Sequence, residues 1–345
     1  MKITKTFIVA ALALGSWFAA DACSRVVYIG EKNITLVGRT LDWRTPIPTN
    51  IYVYPQGVAK TSTNAEPCFN WVSKYGSVVA VGYDGGVTEG MNEAGLAMNG
   101  LFCKNSVYTS QPEGGHLPVM SMAMFVSYFL DNFATVAEVD AWLKDNPFVI
   151  SGQTFDGGTV SLLHWGITDA TGETLVMEYV DGKLTTYRGK QYQVLTNDPA
   201  LNQMEAINAY WENVGGTHAL PGTVRSSDRF ARASFFIHQV PTDFEYPQAL
   251  GALNSVMGTV TVPYGYHIEG EPNLSSTQWH STSDLTGGKY YFSFADNISY
   301  FYIDLGRLRF NPGAPILKLD TTDHLDFAGC VNDKLKVTEG FKPMW

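Results

Sequence analysis

The sequence contains few cysteines and has a deficit of positive charge. Only four cysteines occur among 345 residues, so the chain is not a small scaffold held together by disulfides. CxxC and HExxH motifs are absent and the seven histidines are scattered, which gives no indication of a zinc site. Lys and Arg number 23 against 33 Asp and Glu, a formal net charge of −10. This acidic balance argues against nucleic acid or an anionic membrane surface as a partner.

The sequence also has no internal repeat, no charge block and no long linker. Hydrophobic residues make up 45% of the chain and charged residues 16%, which is typical of a globular protein with an ordinary core. Beyond the N-terminus no stretch approaches 18 unbroken apolar residues, so no membrane insertion is expected.

The first 22 residues have the three-part layout of a secretory signal peptide. Lys2 and Lys5 carry positive charge, the segment FIVAALALGSWFAA (7–20) is almost wholly apolar, and an Ala-Asp-Ala cleavage motif follows. An N-terminal anchor helix is the alternative, but the apolar run is short for a membrane span. We therefore expect a signal peptide at 1–22, export to the periplasm or the medium, and one domain at 23–345.

Cleavage after residue 22 makes Cys23 the first residue of the mature protein. A bacterial lipoprotein also begins with cysteine, but its cleavage site normally has Leu three residues before the cysteine and a small uncharged residue two before. Ala20 and Asp21 occupy these positions. The sequence therefore favours ordinary cleavage and a free α-amine on Cys23.

A free N-terminal cysteine combines a nucleophile and a base in one residue. Its thiol and its α-amine have reference pKa values of about 8.5 and 8, so the amine can accept the proton of the thiol. A cysteine that merely lies near a terminus is an equally good interpretation of the position alone. Partners elsewhere in the chain have to decide between the two.

Hydrophobic patterns predict an α+β protein. Strands are predicted at Arg25–Ile29, Ile34–Val37, Ile51–Tyr54, Ser77–Tyr83, Ala94–Asn99, Thr159–Thr168, Glu173–Tyr179, Tyr192–Thr196, Lys289–Phe294 and Ser299–Leu305. Helices are predicted from Pro118 to about Leu130, from a Thr135–Glu138 capping box to about Lys144, and at Leu201–Trp211, Asp228–Gln239 and Gln248–Val256. Because strands and helices do not alternate strictly, this order favours two antiparallel sheets between helical layers over a doubly wound parallel sheet.

The segment GRTLDW (38–43) carries two candidate partners for Cys23. If the first two strands pair as a hairpin, this segment returns beside the chain terminus. Arg39 would then stabilise a thiolate and lower its pKa, and Asp42 would hold an ammonium group. A solvated surface pair at the end of a strand is the alternative.

Two later polar residues are further candidates. Asn197 follows a predicted strand, where its amide NH₂ could bind a developing oxyanion; an Asn-Asp-Pro turn explains it equally well. Arg229 lies at the start of a predicted helix, where a cation gains nothing from the helix dipole. This misfit indicates another role for Arg229, and a surface salt bridge with Asp228 is the alternative.

Together with Cys23, five motifs resemble those of the choloylglycine hydrolases, a family that contains bile salt hydrolases and penicillin V acylases. They are GRTLDW (38–43), EGMNEAGL (89–96), LHWGITDATGETLVMEY (163–179), VLTNDP (194–199) and SSDRFARASF (226–235). The resemblance covers most of the chain after residue 22, in the family's order, and is to its Gram-negative branch. It implies an α+β fold of the four-layer αββα N-terminal-nucleophile (Ntn) hydrolase type.

The resemblance also implies a role for each candidate. Cys23 would be the nucleophile and its own amine the base. Arg39 would lie by the thiolate and Asp42 by the α-amine. Asn197 would belong to the oxyanion hole and Arg229 to the surrounding charge network, and no metal or cofactor would be required.

The expected activity is hydrolysis of linear amide C–N bonds. Glycine- or taurine-conjugated bile salts are the preferred substrates, and penicillin V or N-acyl homoserine lactones are the alternative. The resemblance places the backbone N–H of Phe102 in the oxyanion hole, at a position where many members have Asn or Tyr. With Trp43 and Tyr108, this residue favours a bulky apolar acyl group. The partner is thus a small amide, and the resemblance also allows a homo-oligomer.

The sequence leaves two other function classes open. A Cys-His protease with His164 or another histidine as its base would need no N-terminal processing. An exported binding protein or lipoprotein would carry a lipid or a blocked amine on Cys23.

Overall fold

The computed structural model describes residues 23–113, 115–152, 154–155, 158–269 and 275–345, so the predicted signal peptide lies outside the described residues. Its strands are β1 (Ser24–Gly30), β2 (Ile34–Trp43), β3 (Thr49–Tyr54), β4 (Ala59–Thr61), β5 (Asn70–Val72), β6 (Ser77–Gly82), β7 (Gly86–Asn92), β8 (Ala97–Phe102), β9 (Val119–Ser121), β10 (Val149–Ser151), β11 (Thr154–Phe155), β12 (Thr159–Val160), β13 (Leu163–Thr168), β14 (Thr174–Val180), β15 (Lys183–Arg188), β16 (Val194–Leu195), β17 (Ser276–Asp284), β18 (Lys289–Phe294), β19 (Phe301–Asp304), β20 (Leu317–Leu319), β21 (Gly329–Cys330) and β22 (Lys336–Val337). Its α-helices are α1 (Met122–Asn132), α2 (Val136–Asp145), α3 (Leu201–Val214), α4 (Ser226–Gln239) and α5 (Tyr246–Gly258).

Two large sheets lie between helices. The first sheet has the order β16-β1-β2-β17-β18-β19-β21 and the second β15-β14-β13-β8-β7-β6-β3-β20-β22. Helices α4 and α5 contact the first sheet and α1 and α2 the second, while α3 packs against α4. Separate apolar clusters fill the interface between the sheets and the interface of each sheet with its helices. The predicted α+β fold with αββα layers is therefore confirmed.

The β1–β2 hairpin positions the start of the described chain. It pairs Ser24 with Thr40 and Arg25 with Arg39, as the sequence predicted. On the other side of β1, Leu195 of β16 pairs with Arg25. Because both neighbours run antiparallel to β1, Cys23 lies between the end of β2 and the segment that follows β16.

Strand β2 is longer than its apolar pattern predicted. It continues past Val37 to Trp43, and all ten of its residues are buried. Polar residues interrupt the apolar alternation in its second half, so the pattern ends before the strand does. Arg39 and Asp42 are 2% and 1% exposed, so the alternative of a solvated surface pair is wrong.

The first helix begins later than predicted. Pro118 is not its first residue, because Val119–Ser121 form strand β9, which pairs in parallel with β10. The hydroxyl of Ser121 then caps α1 by accepting the backbone N–H two residues on, at 3.2 Å. Helix α2 begins as predicted, with both bonds of the capping box between Thr135 and Glu138 present. Among the described helices none is long and apolar enough to cross a membrane.

Candidate active site

The thiol of Cys23 is buried between two polar neighbours. Cys23 is 4% exposed, and its Sγ lies 3.8 Å from the carbonyl oxygen of Asp42 and 3.9 Å from a guanidinium nitrogen of Arg39. Burial raises the pKa of the Cys23 thiol and outweighs the lowering by the Arg39 cation. Arg39 thus acts on the thiol in the direction that the sequence predicted, and burial, which the sequence did not address, acts against it. At neutral pH the thiol of the full-length chain is therefore protonated.

A buried carboxylate to which the sequence gave no role holds Arg39 in place. Oε2 of Glu89, on β7, lies 2.8 Å from Nη1 of Arg39, and its other oxygen accepts the hydroxyl of Tyr290 at 2.6 Å. The ring centroid of Trp279 lies 4.6 Å from the guanidinium carbon. An unpaired charge at this depth would be strongly destabilising, so Glu89 allows Arg39 to stay charged beside the sulfur.

The carboxylate of Asp42 lies close to Cys23, but its hydrogen bonds go to two hydroxyls. Oδ1 accepts the hydroxyl of Thr277 at 2.6 Å, and Oδ2 accepts that of Thr40 at 3.2 Å. Burial raises the pKa of Asp42 to about 6, although Arg229 and both hydroxyls act in the opposite direction. In the full-length chain the Cys23 nitrogen is a peptide nitrogen, so the predicted contact of Asp42 with an ammonium group stays a prediction.

Asn197 connects the start of β1 with the end of β8. Its Oδ1 accepts the backbone N–H of Cys23 at 2.8 Å, and its Nδ2 donates to the carbonyl oxygen of Phe102 at 2.7 Å. An amide NH₂ has two N–H groups, so the second can serve a further acceptor. Asn197 is 2% exposed, so its amide group is shielded from solvent.

The residue after Asn197 fixes the chain that follows Phe102. The carboxylate of Asp198 accepts the backbone N–H groups of Lys104 and Asn105 at 3.2 and 2.9 Å. The Phe102 ring packs against Trp43 with 5.3 Å between the ring centroids. The main chain of Phe102 therefore faces Asn197, while its side chain contributes to an apolar surface.

Arg229 is fully buried beside the same residues. Its Nη1 donates to the carbonyl oxygen of Cys23 and to the hydroxyl of Ser24, both at 2.6 Å, and its Nη2 donates to Oδ1 of Asn197 at 2.7 Å. The alternative of a surface salt bridge is wrong, because Asp228 instead accepts hydrogen bonds from the preceding loop. Arg229 thus orients both the main chain of Cys23 and the amide of Asn197.

An apolar cavity opens in front of the thiol. Its walls include Leu41, Trp43, Ile47, Tyr83, Val87, Phe102, Met122, Phe155, Leu163 and Met344. Trp43 and Phe102 thus lie where the sequence predicted aromatic contacts with the acyl group. Tyr108 does not, because its ring packs against Tyr179 with 5.2 Å between the centroids. A cavity of this composition fits an apolar group attached to a polar reacting centre.

Both ring nitrogens of His164, the alternative base, are hydrogen-bonded. Nδ1 lies 2.8 Å from Oε1 of Glu178, and Nε2 lies 2.7 Å from the carbonyl oxygen of Thr196. His164 is 0% exposed. Neither nitrogen is therefore available to take a proton from a thiol.

The site thus has a buried cysteine, a guanidinium group beside its sulfur, an amide at its nitrogen and an apolar cavity in front. Residues 23–324 match the family described as linear amide C–N hydrolases, choloylglycine hydrolase family. The chain belongs to this family. It is a linear amide hydrolase, as its motifs predicted, and membership decides against the protease and binding-protein alternatives.

The relatives of this choloylglycine hydrolase include penicillin V acylases and a bile salt hydrolase/transferase. The penicillin V acylase of Pectobacterium atrosepticum is 35% identical over 331 residues, which cover 90% of this chain and 88% of that protein. The solved structure of penicillin V acylase from Agrobacterium tumefaciens is 40% identical, covers 93% of this chain and 99% of that one, and has a TM-score of 0.86. The bile salt hydrolase/transferase of Clostridium perfringens is 27% identical over 244 residues, 64% of this chain and 72% of that protein.

Three residues of the site were not predicted from the sequence. Glu89 and Tyr290 lie beside Arg39, and Met344 lies in the cavity wall. A signal existed for Glu89, because a strand's period of two places it on the same face as Met91, a core residue. A carboxylate among core residues requires a buried cation as its partner. Tyr290 and Met344 carry no comparable local signal.

The raised pKa of Asp42 predicts a pH dependence of stability in the full-length hydrolase. The folded chain binds this proton more tightly than the unfolded chain, since the pKa is about 6 rather than 3.8. The contribution of Asp42 to the free energy of unfolding is therefore lost as the pH rises from about 4 to about 6. An Asp42→Asn variant has no such loss, so its stability relative to wild type should increase over this interval. Urea unfolding at pH 4, 5, 6 and 7 measures the difference.

The exposed Asp333 provides the control for this experiment. Asp333→Asn should keep a nearly constant difference from wild type over the same pH values. If Asp42→Asn also keeps a constant difference, burial does not hold the proton on Asp42.

Proposed function

We propose that Cys23, released by cleavage after residue 22 of an exported precursor, is the nucleophile of this amide hydrolase. Its sulfur attacks the amide carbonyl carbon while the thiol proton passes to its own α-amine. The carbon–nitrogen bond then breaks, and the leaving nitrogen takes that proton. Water hydrolyses the remaining thioester, which releases the acid and restores the thiol. The raised pKa of the thiol supports proton transfer during attack over a thiolate formed beforehand.

The hydrogen bonds around the Cys23 nitrogen support its role as the base. One N–H of a free amine would keep the 2.8 Å bond to Oδ1 of Asn197, which would orient the lone pair. Asp42, buried close by with a raised pKa, would stabilise the ammonium group that forms when the amine accepts the proton. Arg229 would hold the Cys23 carbonyl still during this transfer, through its 2.6 Å hydrogen bond.

The oxyanion of the tetrahedral intermediate would be bound by Asn197 and by the backbone N–H of Phe102. The two residues already meet through the 2.7 Å bond from Nδ2 to the Phe102 carbonyl oxygen. Donors fixed in advance stabilise the developing charge because they need no reorganisation during the reaction.

Among acyl groups, we favour a small aromatic one such as that of penicillin V over a bile acid. The relatives with 35% and 40% identity over most of the chain are penicillin V acylases, whereas the bile salt hydrolase/transferase is 27% identical over a shorter part. Phe102, Trp43 and Phe155 form an aromatic wall, with Trp43 within 5.4 Å of both other rings. Aromatic walls favour a flat ring through offset or edge-to-face contacts. These relatives and this aromatic wall support penicillin V over the conjugated bile salts that the motifs favoured.

A hydrolysis panel tests this choice of substrate. We expect kcat/KM for penicillin V to exceed that for glycine- or taurine-conjugated bile salts by at least about tenfold, which corresponds to about 1.4 kcal/mol of transition-state binding. An N-acyl homoserine lactone and an amide with a short acetyl group complete the panel. Faster turnover of the conjugated bile salts would reverse the choice of substrate. Equal rates on all four would show that the cavity does not discriminate among acyl groups.

A further inference from the structure

Two buried side chains of the second sheet hold both ends of the segment 196–201. Nε2 of His164, on β13, lies 2.7 Å from the carbonyl oxygen of Thr196. Oε2 of Glu178, on β14, accepts the backbone N–H of Leu201 at 2.9 Å. His164 and Glu178 are joined to each other at 2.8 Å, and all four residues are at most 2% exposed.

The hydrogen-bond partners of the pair fix the orientation of the imidazole ring. A carbonyl oxygen can only accept, so the nitrogen of His164 that faces Thr196 carries a hydrogen. The other ring nitrogen faces Oε1 of Glu178 at 2.8 Å. Every oxygen and nitrogen of the pair then has a partner, which is what a buried polar network requires.

The pair also completes the N-terminus of α3. The N-cap residue, Ala200, provides no side-chain hydrogen bond to the first turn. The first N–H groups of a helix need an acceptor and favour negative charge. Glu178, on the second sheet, supplies an acceptor and a negative charge to the N–H of Leu201. The start of α3 is therefore fixed to the second sheet.

The segment between these two anchors contains Asn197 and Asp198. Asn197 contacts the Cys23 nitrogen and the Phe102 carbonyl, and Asp198 holds the chain after Phe102. On the sheet, His164 lies opposite Leu101, directly before Phe102. The pair therefore sets the position of Asn197 relative to the strand that ends at Phe102.

We infer that His164 and Glu178 are positioning residues that keep the Asn197 amide aligned with the oxyanion. This inference rests on the proposed role of Asn197. Because displacement by about 1 Å can cost about a hundredfold in rate, loosening either anchor lowers kcat. KM changes little, since the alignment matters most in the transition state.

Two substitutions with opposite effects on these bonds test the inference. In His164→Asn, the shorter amide cannot reach both Glu178 and the Thr196 carbonyl, so kcat should fall by about 10- to 100-fold at nearly constant KM. In Glu178→Gln, the glutamine oxygen keeps the Leu201 N–H and its NH₂ can donate to Nδ1 of His164. This conservative variant should therefore keep kcat within about threefold. His238→Asn, on the exposed end of α4, is the control and should behave as wild type.

A double-mutant cycle with Asn197→Ala gives the decisive measurement. If the pair acts through Asn197, His164→Asn should cost almost nothing further in that background, because the amide it positions is gone. Additive losses would overturn the inference, as would a Glu178→Gln loss equal to that of His164→Asn or an unchanged kcat in His164→Asn. If His164→Asn does not fold, Glu178→Met replaces it with the same expectations. Near-normal turnover of Asn197→Ala alone would instead contradict the proposed oxyanion site.

Discussion

Replacing Cys23, the proposed nucleophile, is expected to have the largest effect of any single substitution in this hydrolase. Cys23→Ala should lower turnover of the best substrate by about 10⁶-fold, the loss that follows removal of the nucleophile in another hydrolase with a covalent intermediate. Cys23→Ser should also lose orders of magnitude, because a hydroxyl gives up its proton far less readily than a thiol. Initial rates with penicillin V, together with circular dichroism to verify folding, measure both effects.

A second cysteine provides the matched control for these variants. Cys68 is half-buried and its thiol contacts Glu66, so Cys68→Ser should keep the wild-type rate. Modification by iodoacetamide should inactivate wild type and the Cys68 variant equally, and peptide mapping should show that the loss of activity follows the label on Cys23 rather than labels on the more accessible Cys68 and Cys330. Full activity after Cys23 is labelled, or in Cys23→Ala, would exclude it as the nucleophile.

The base in this mechanism depends on processing of the N-terminus. N-terminal sequencing of the active enzyme is therefore expected to begin at Cys23. One additional residue left before Cys23 would turn the amine into a peptide nitrogen, which cannot act as a base, and activity should be lost in folded protein. An active enzyme that begins elsewhere would contradict both the predicted cleavage site and the proposed base.

The sequence predicted the part of the site that depends on local pairing. Two strands with a tight turn between them bring Arg39 back beside Cys23, and the observed pairing of Arg25 with Arg39 confirms that hairpin. The motifs also indicated the family and its layered fold. The roles of Asn197 and Arg229 came only from the resemblance, because a turn and a surface salt bridge satisfied the local patterns equally well.

The rest of the site depends on contacts between residues far apart in sequence. Arg229 lies at the start of a helix, a poor place for a cation by local rules, and only its bonds to Cys23 and Asn197 explain its burial. The direction of the thiol pKa depends on the depth of burial, which a motif does not reveal. Met344 reaches the cavity because its backbone N–H pairs with the carbonyl of Gly85, a contact without any periodic signal.

Strand β17 was not predicted from the sequence, because most of its buried residues are polar. Its sequence STQWHSTSD has almost no apolar alternation, yet the strand lies between β2 and β18 in the first sheet. Thr277 uses its hydroxyl to hold Asp42, and Trp279 packs over Arg39. A strand that supplies polar contacts to a buried site cannot also show the apolar pattern by which strands are predicted.

The second large effect is expected at Asn197. Asn197→Ala should lower kcat by about 10²–10³-fold, the usual loss when one oxyanion donor is removed, while KM changes little. Asn197→Asp is nearly isosteric but should be worse than alanine. Its carboxylate would keep the contacts of Oδ1 with the Cys23 nitrogen and Arg229. It would, however, place a negative acceptor where the amide now donates to Phe102 and where the oxyanion forms.

The order of these two variants distinguishes an oxyanion donor from a residue that only shapes a turn. A turn-forming role predicts that Asp retains more activity than Ala, because an aspartate preserves the side-chain contacts of an Asx turn. Arg229, 2.7 Å from Oδ1, should pair with the introduced carboxylate, so the Asp variant is expected to stay folded. Steady-state kinetics and thermal unfolding of both variants measure activity and folding separately. Near-normal turnover in folded Asn197→Asp would remove Asn197 from the oxyanion site, whereas a folded Asp variant slower than Ala is the result that only a donor role predicts.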